Sequence, residues 1–160
     1  MATLTTHVEN LPEATVDKLN DLIQINLDSA KGFRTAAEHV DVAAYASLFR
    51  ELGEQRQAQA EELQAQVIAE GETPETKGSF SGKAHRWWLS LREKVTGSAA
   101  YDVLAEAERG EDVIKGMYED VVGETAGSEI NAVLTRQHKQ VVAGHDKVRD
   151  LRDREKAAKS

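Results

Sequence analysis

Apolar residues recur at alternating steps of about three and four along most of this chain, the spacing that lays one stripe along an α-helix. Val16, Leu19, Ile23, Ala30, Phe33, Ala37 and Val40 form the first run, and Asn26 interrupts it where an apolar residue is due. Pro12 suits the first turn of that helix, where a missing N–H costs nothing, and Glu13 and Asp17 favour the same end. The run predicts a helix over about residues 12 to 40. Asp41 is placed to cap a second helix, whose stripe is Tyr45, Leu48, Phe49, Leu52, Ala60, Leu63 and Val67, with Arg56 and Gln59 on the inward side. Gly71 closes it as a C-terminal glycine.

Glycines, a proline and hydroxyls then mark a loop from Gly71 to Gly82. A short amphipathic helix follows, over about Lys83 to Val95, with Phe80, Ala84, Trp87, Trp88, Leu91 and Val95 on one face. Thr96-Gly97 breaks it and Ser98 caps a third long helix, over about residues 99 to 122. There Leu104, Ile114, Tyr118, Val121 and Val122 make the stripe, and Glu108 and Glu111 fall within it. After Gly123–Gly127, Ser128 caps a last helix bearing Ile130, Val133, Leu134, Val141, Val148 and Leu151, interrupted by Gln137/His138 and by Gly144/His145. Residues 1–11 read as a mobile arm, 12–153 as one helical bundle and 154–160 as a charged tail that frays.

Four helices of roughly 24 to 29 residues are each about 35 to 43 Å long. A connection of one or two residues forces the first pair antiparallel, whereas the long connection between the second and third is able to travel the height of the bundle. The fold class expected is all-α: a four-helix bundle whose second and third helices are parallel and joined by a crossover containing the short amphipathic helix. An up-down-up-down bundle, with the Trp-bearing helix folded across one end, is the alternative.

Composition narrows the function. Twenty basic against 28 acidic residues leave a net charge of −8, which argues against general nucleic-acid binding. With no cysteine, thiolate metal sites and cysteine nucleophiles are excluded. The opening MATLTTHVENLPEA carries neither the basic nor the apolar region of a secretory signal, so a cytoplasmic location is expected. No apolar run reaches the roughly 18 residues of a membrane span. No nucleophile elbow, phosphate loop or dinucleotide motif is present.

What remains is the polar interruption on each long helix: Asn26; Arg56 with Gln59; Glu108 with Glu111; Gln137/His138 with His145. Partnered buried polar groups cluster, so four breaks at similar depth predict one polar layer across the core. Two chemistries fit. In one, Arg56 bridges Glu108 or Glu111 in a metal-free network with Asn26, Gln59 and Gln137. In the other, Glu108, Glu111 and His145 hold iron or manganese. For Gly110 and Gly116, close helix approach is the expected reason.

LNDLIQINLDSAKGF resembles the first helix of the ferritin and bacterioferritin superfamily, with Phe33 where those proteins often carry an aromatic. LFRELGEQRQAQAEEL, the Trp-Trp segment, AERGEDVIKGMY and QHKQVVAGHDKVRDLRD are similar to a bacterial family of ferritin-like four-helix proteins of unknown function, over about residues 12 to 153. The resemblance implies a ferritin-like bundle, possible stress-related use and a di-metal site built from two carboxylates and two Glu-x-x-His pairs. This chain departs from that ligand pattern. Asn26 stands on the first helix, Glu54-Gln-Arg-Gln57 on the second lacks the histidine, and Gln137-His-Lys-Gln140 on the fourth lacks the glutamate. The site therefore reads as degenerate, the expected cofactor as none, and the role as structural or interactive. A homodimer formed partly through Phe80, Trp87, Trp88 and Leu91 is expected. The local positive charge of the same segment gives a membrane surface as a less favoured partner.

Overall fold

The computed structural model describes residues 11–74, 86, 89–94 and 99–158. Four long helices dominate them: α1 (Glu13–His39), α2 (Ala43–Ala69), α3 (Ala100–Glu124) and α4 (Ile130–Ala158). The remainder is turn, bend, irregular backbone and a helical stretch over 89–94, so the described fold is all-α. No described helix is long and apolar enough to cross a membrane.

The helix ends follow from local chemistry, with corrections to the sequence reading. Pro12 is the N-cap of α1, one position before the first turn. The cap of α2 is Val42, with no side-chain hydrogen bond, so Asp41 does not cap that helix as expected. Gly71 takes a φ of 77° and Gly127 a φ of 84°, the left-handed conformation that lets a chain leave a helix. The last helix continues through the charged segment to Ala158, beyond the end at about 153 expected from the sequence. Tyr45 helps to hold it there by donating its hydroxyl proton to Glu155.

α1 lies along α2 and α3 along α4, with α1 also meeting α3 and α2 meeting α4 more lightly. Side chains fix which ends meet. Lys18, early in α1, pairs with Glu124 at the end of α3. Phe33, late in α1, shares a cluster with Leu104 and Ala107 from early in α3. Leu63 and Val67, late in α2, pack in one cluster with Tyr118 and Val121, late in α3.

The apolar core forms two clusters. One gathers Leu19, Leu22, Ile23, Leu63, Ile114, Leu134 and Val141, among others, from all four helices. The other gathers Phe33, Phe49, Leu52, Leu104, Ala107 and Val148. On α2 and α3 the switch from one cluster to the other falls at Arg56/Gln59 and at Glu111, on α4 it falls at Gly144/His145, and on α1 it falls between Leu27 and Phe33, just past Asn26. Leu91, from the 89–94 stretch, is 1% exposed in the second cluster. Its apolar area is therefore already covered within the chain. Phe80, Trp87 and Trp88 lie outside the described residues, as does Ser98.

Candidate functional site

The six residues expected in the metal-free network are all buried: Asn26, Arg56, Gln59, Glu108, Glu111 and Gln137. Arg56 and Glu111 are both 0% exposed and form a direct ion pair from α2 to α3 through Nη2 and Oε2. A guanidinium sheds its proton with great difficulty, so it enters a core only with such a partner and further acceptors. Nη1 of Arg56 meets that demand by donating to Gln55 Oε1 at 2.9 Å and to Gln59 Oε1 at 3.1 Å. Burial pushes the Glu111 carboxyl above its ordinary range, while the Arg56 charge and hydrogen bond pull against it, and the net direction is upward.

A second chain of bonds runs through Tyr118. Asn26 Nδ2 donates to the Tyr118 hydroxyl at 2.8 Å, and that hydroxyl donates to Gln137 Oε1 at 2.7 Å. Gln137 Nε2 then donates to Glu62 Oε1 at 2.6 Å, near the surface. Gln59 Nε2 reaches Gln140 Oε1 at 3.0 Å, tying α2 to α4. Burial raises the Tyr118 phenol well above its ordinary value despite the Asn26 bond. At Glu62 burial acts upward, but hydrogen bonds from Arg136 and Gln137 outweigh it and hold the carboxyl below its usual range. Beside this edge, Gln55, Ala58, Gln59, Glu62, Arg136 and Gln140 line a shallow cleft of about 160 Å³.

Gly144 explains how α4 approaches the ion pair. A Cβ there would stand 2.8 Å from Leu52 Cδ2, 3.3 Å from Arg56 Nη2 and 3.4 Å from Glu111 Oε2. The glycine that breaks the fourth apolar stripe is thus the floor on which the Arg56–Glu111 pair rests. Gly116 differs: nothing lies within 4 Å of a Cβ built there, so close helix approach does not account for it.

The carboxylates read together in the sequence part company. Glu111 turns to Arg56, whereas Glu108 faces α4 and pairs with Arg152. His145 joins Glu108, with Nε2 3.6 Å from Glu108 Oε1, and lies closer still to Asp112 Oδ1 at 2.8 Å. Of the proposed metal set Glu108, Glu111 and His145, the geometry therefore brings Glu108 and His145 together and puts Asp112 where Glu111 was expected. His138 leaves the layer, its Nε2 lying 3.5 Å from Glu119 Oε1.

Sequence reasoning missed Tyr118 as a polar hub, because a tyrosine on an apolar stripe reads as core. Glu62, Asp112, Gln140 and Arg152 were also missed, being polar residues on the flanks where solvent is the default partner. Asp28, a fully buried carboxylate on α1, had no signal at all in the periodicity.

No curated protein matches the sequence. A family profile described as "Domain of unknown function (DUF2383)" matches residues 14–124, which begin one residue into α1 and end with α3. The chain belongs to that family.

Proposed function

We propose that this chain is a ferritin-like four-helix bundle in which an arginine–carboxylate–amide layer occupies the place of a di-metal centre, and that it acts as a structural or interaction protein. The pairing of helix ends supports the topology. α1 meets α3 end to start, and late α2 packs beside late α3. That pairing of ends favours α2 and α3 running the same way.

The observation that carries the reading is Arg56. Di-metal members of the superfamily place Glu and His, three residues apart, on the inward face of the second helix. Here the inward pair at that spacing is Arg56 and Gln59, both buried and bonded to each other. A guanidinium carries its own positive charge, so it neutralises Glu111 without a metal. Asn26 in place of a carboxylate on α1, and Gln137-His-Lys-Gln140 without the glutamate on α4, leave further ligands missing.

The test is metal stoichiometry in the untagged, chelator-stripped protein after anaerobic addition of ferrous iron or manganese. The expected result is no pair of ions in the core. Two ions per chain, lost on Glu111→Ala, would establish the alternative, an iron or manganese protein using Glu108, Glu111 and His145. The expected partner is a second copy of the chain, through the segment bearing Phe80, Trp87 and Trp88. Light scattering should report a dimer that Trp87→Ala/Trp88→Ala weakens; a monomer in the native chain would end that part of the reading.

A further inference from the structure

Outside the central layer, on the groove between α3 and α4, one imidazole stands among three carboxylates. We propose that Glu108, Asp112 and His145 form a mononuclear site for a divalent first-row transition ion, separate from the core level of Arg56 and Glu111. One ligand atom from each of the three lies within 4.8 Å of the others. Donors around a tetrahedral ion with bonds of about 2.1 Å stand roughly 3.4 Å apart. His145 Nε2 lies 2.8 Å from Asp112 Oδ1 and 3.6 Å from Glu108 Oε1, so small side-chain rotations suffice.

The surroundings suit a ligand set. His145 Nδ1 lies 3.1 Å from Asp146 Oδ1. A proton donated there leaves the Nε2 lone pair facing Glu108 and Asp112, the arrangement in which an outer carboxylate orients a metal-binding histidine. Arg152 takes the other oxygen of Glu108 and fixes that carboxylate without occupying Oε1. Glu108 and Asp112 are one turn apart on α3, so both face the same groove.

A separate observation comes from behind the site. Glu111 is fully buried, and its Oε1 has no hydrogen-bond partner. One residue before Asp112 on α3, a buried carboxylate oxygen thus stands without a hydrogen bond, as does the Nε donor of its ion-pair partner Arg56. One nitrogen with two carboxylate oxygens suits zinc, cobalt(II) or manganese(II) better than copper(I) or a soft thiophilic ion.

The test uses the full chain stripped of metal, with zinc and cobalt(II) as probes in equilibrium dialysis and visible spectroscopy. One zinc per chain is expected, displacing cobalt(II) whose d–d bands report coordination by nitrogen and oxygen. Asp112→Asn, in a side chain 58% exposed and so without consequence for folding, should weaken zinc at least tenfold. His145→Gln should abolish the cobalt(II) bands. Equal zinc affinity in the native chain and Asp112→Asn would overturn the site. So would two ions per chain lost together on Glu111→Gln, which would place the metal in the core.

Discussion

At the scale of single residues, Gly144 and Gly116 give opposite forecasts for the same substitution. Alanine at 144 brings a Cβ within 2.8 Å of Leu52 Cδ2, inside a packed core. Overpacking of that kind costs about 1–3 kcal/mol and outweighs the gain in helix propensity of up to about 1 kcal/mol. Gly144→Ala should therefore destabilise in urea unfolding. Gly116→Ala meets open space and should stabilise by about 0.4–1 kcal/mol. Equal effects at the two positions would mean that α4 does not approach the ion pair closely. Asn26, Arg56, Gln59, Glu111 and Gln137 were legible in the sequence because each interrupts an apolar period. Which carboxylate Arg56 would choose was not legible, since Glu108 and Glu111 both fall in the stripe and only helix rotation separates them.

At the scale of elements, periodicity located all four long helices to within a few residues, except for the end of α4. Apolar spacing stops at Leu151, and a charged run after it reads as solvent-exposed tail. The helix persists to Ala158 because polar contacts replace apolar ones: Arg152 to Glu108 and Tyr45 to Glu155. Tyr45→Phe should accelerate amide hydrogen exchange over 152–158 while leaving 130–148 protected. Unchanged exchange in that segment would show that Tyr45 does not hold it. The cap of α2 failed for a related reason. An Asp before a helix is a capping signal only if the backbone enters there, and this backbone enters one residue later, at Val42.

At the scale of the whole molecule, the two apolar clusters are joined across a polar layer, so stability depends on the protonation of groups inside it. Tyr118 is raised well above its ordinary value, mainly by burial, and Tyr45 is pushed up to about 12 by burial and Glu155. An acid whose folded value is raised binds its proton more tightly in the folded state. Its contribution is complete below pH 10, the ordinary tyrosine value, and is lost as pH rises toward and through 12. Tyrosinate absorbance should thus rise together with loss of helical circular dichroism in this range. Ionisation of Tyr118 in a chain that remains fully helical would contradict its place in the core. The all-α class was legible because helix periodicity is dense and β-patterning absent. The outer site at Glu108, Asp112 and His145 was only half legible, because Asp112 sits on the flank of its helix, where sequence offers no inward cue.

The central claim is that the Arg56–Glu111 pair, rather than a metal, organises the middle of the bundle. A double-mutant cycle with Arg56→Met and Glu111→Leu, read by urea unfolding, tests it most directly. Each single change orphans a buried charge and should cost about 3–5 kcal/mol. Glu111→Leu should cost more, because a lone guanidinium cannot shed its proton, whereas a lone Glu111 gains one and its penalty shrinks as pH falls. The double variant should recover much of the loss, with a coupling of about 2 kcal/mol or more. Additive effects, each below about 0.5 kcal/mol, would contradict the account, since such small values belong to solvated surface residues.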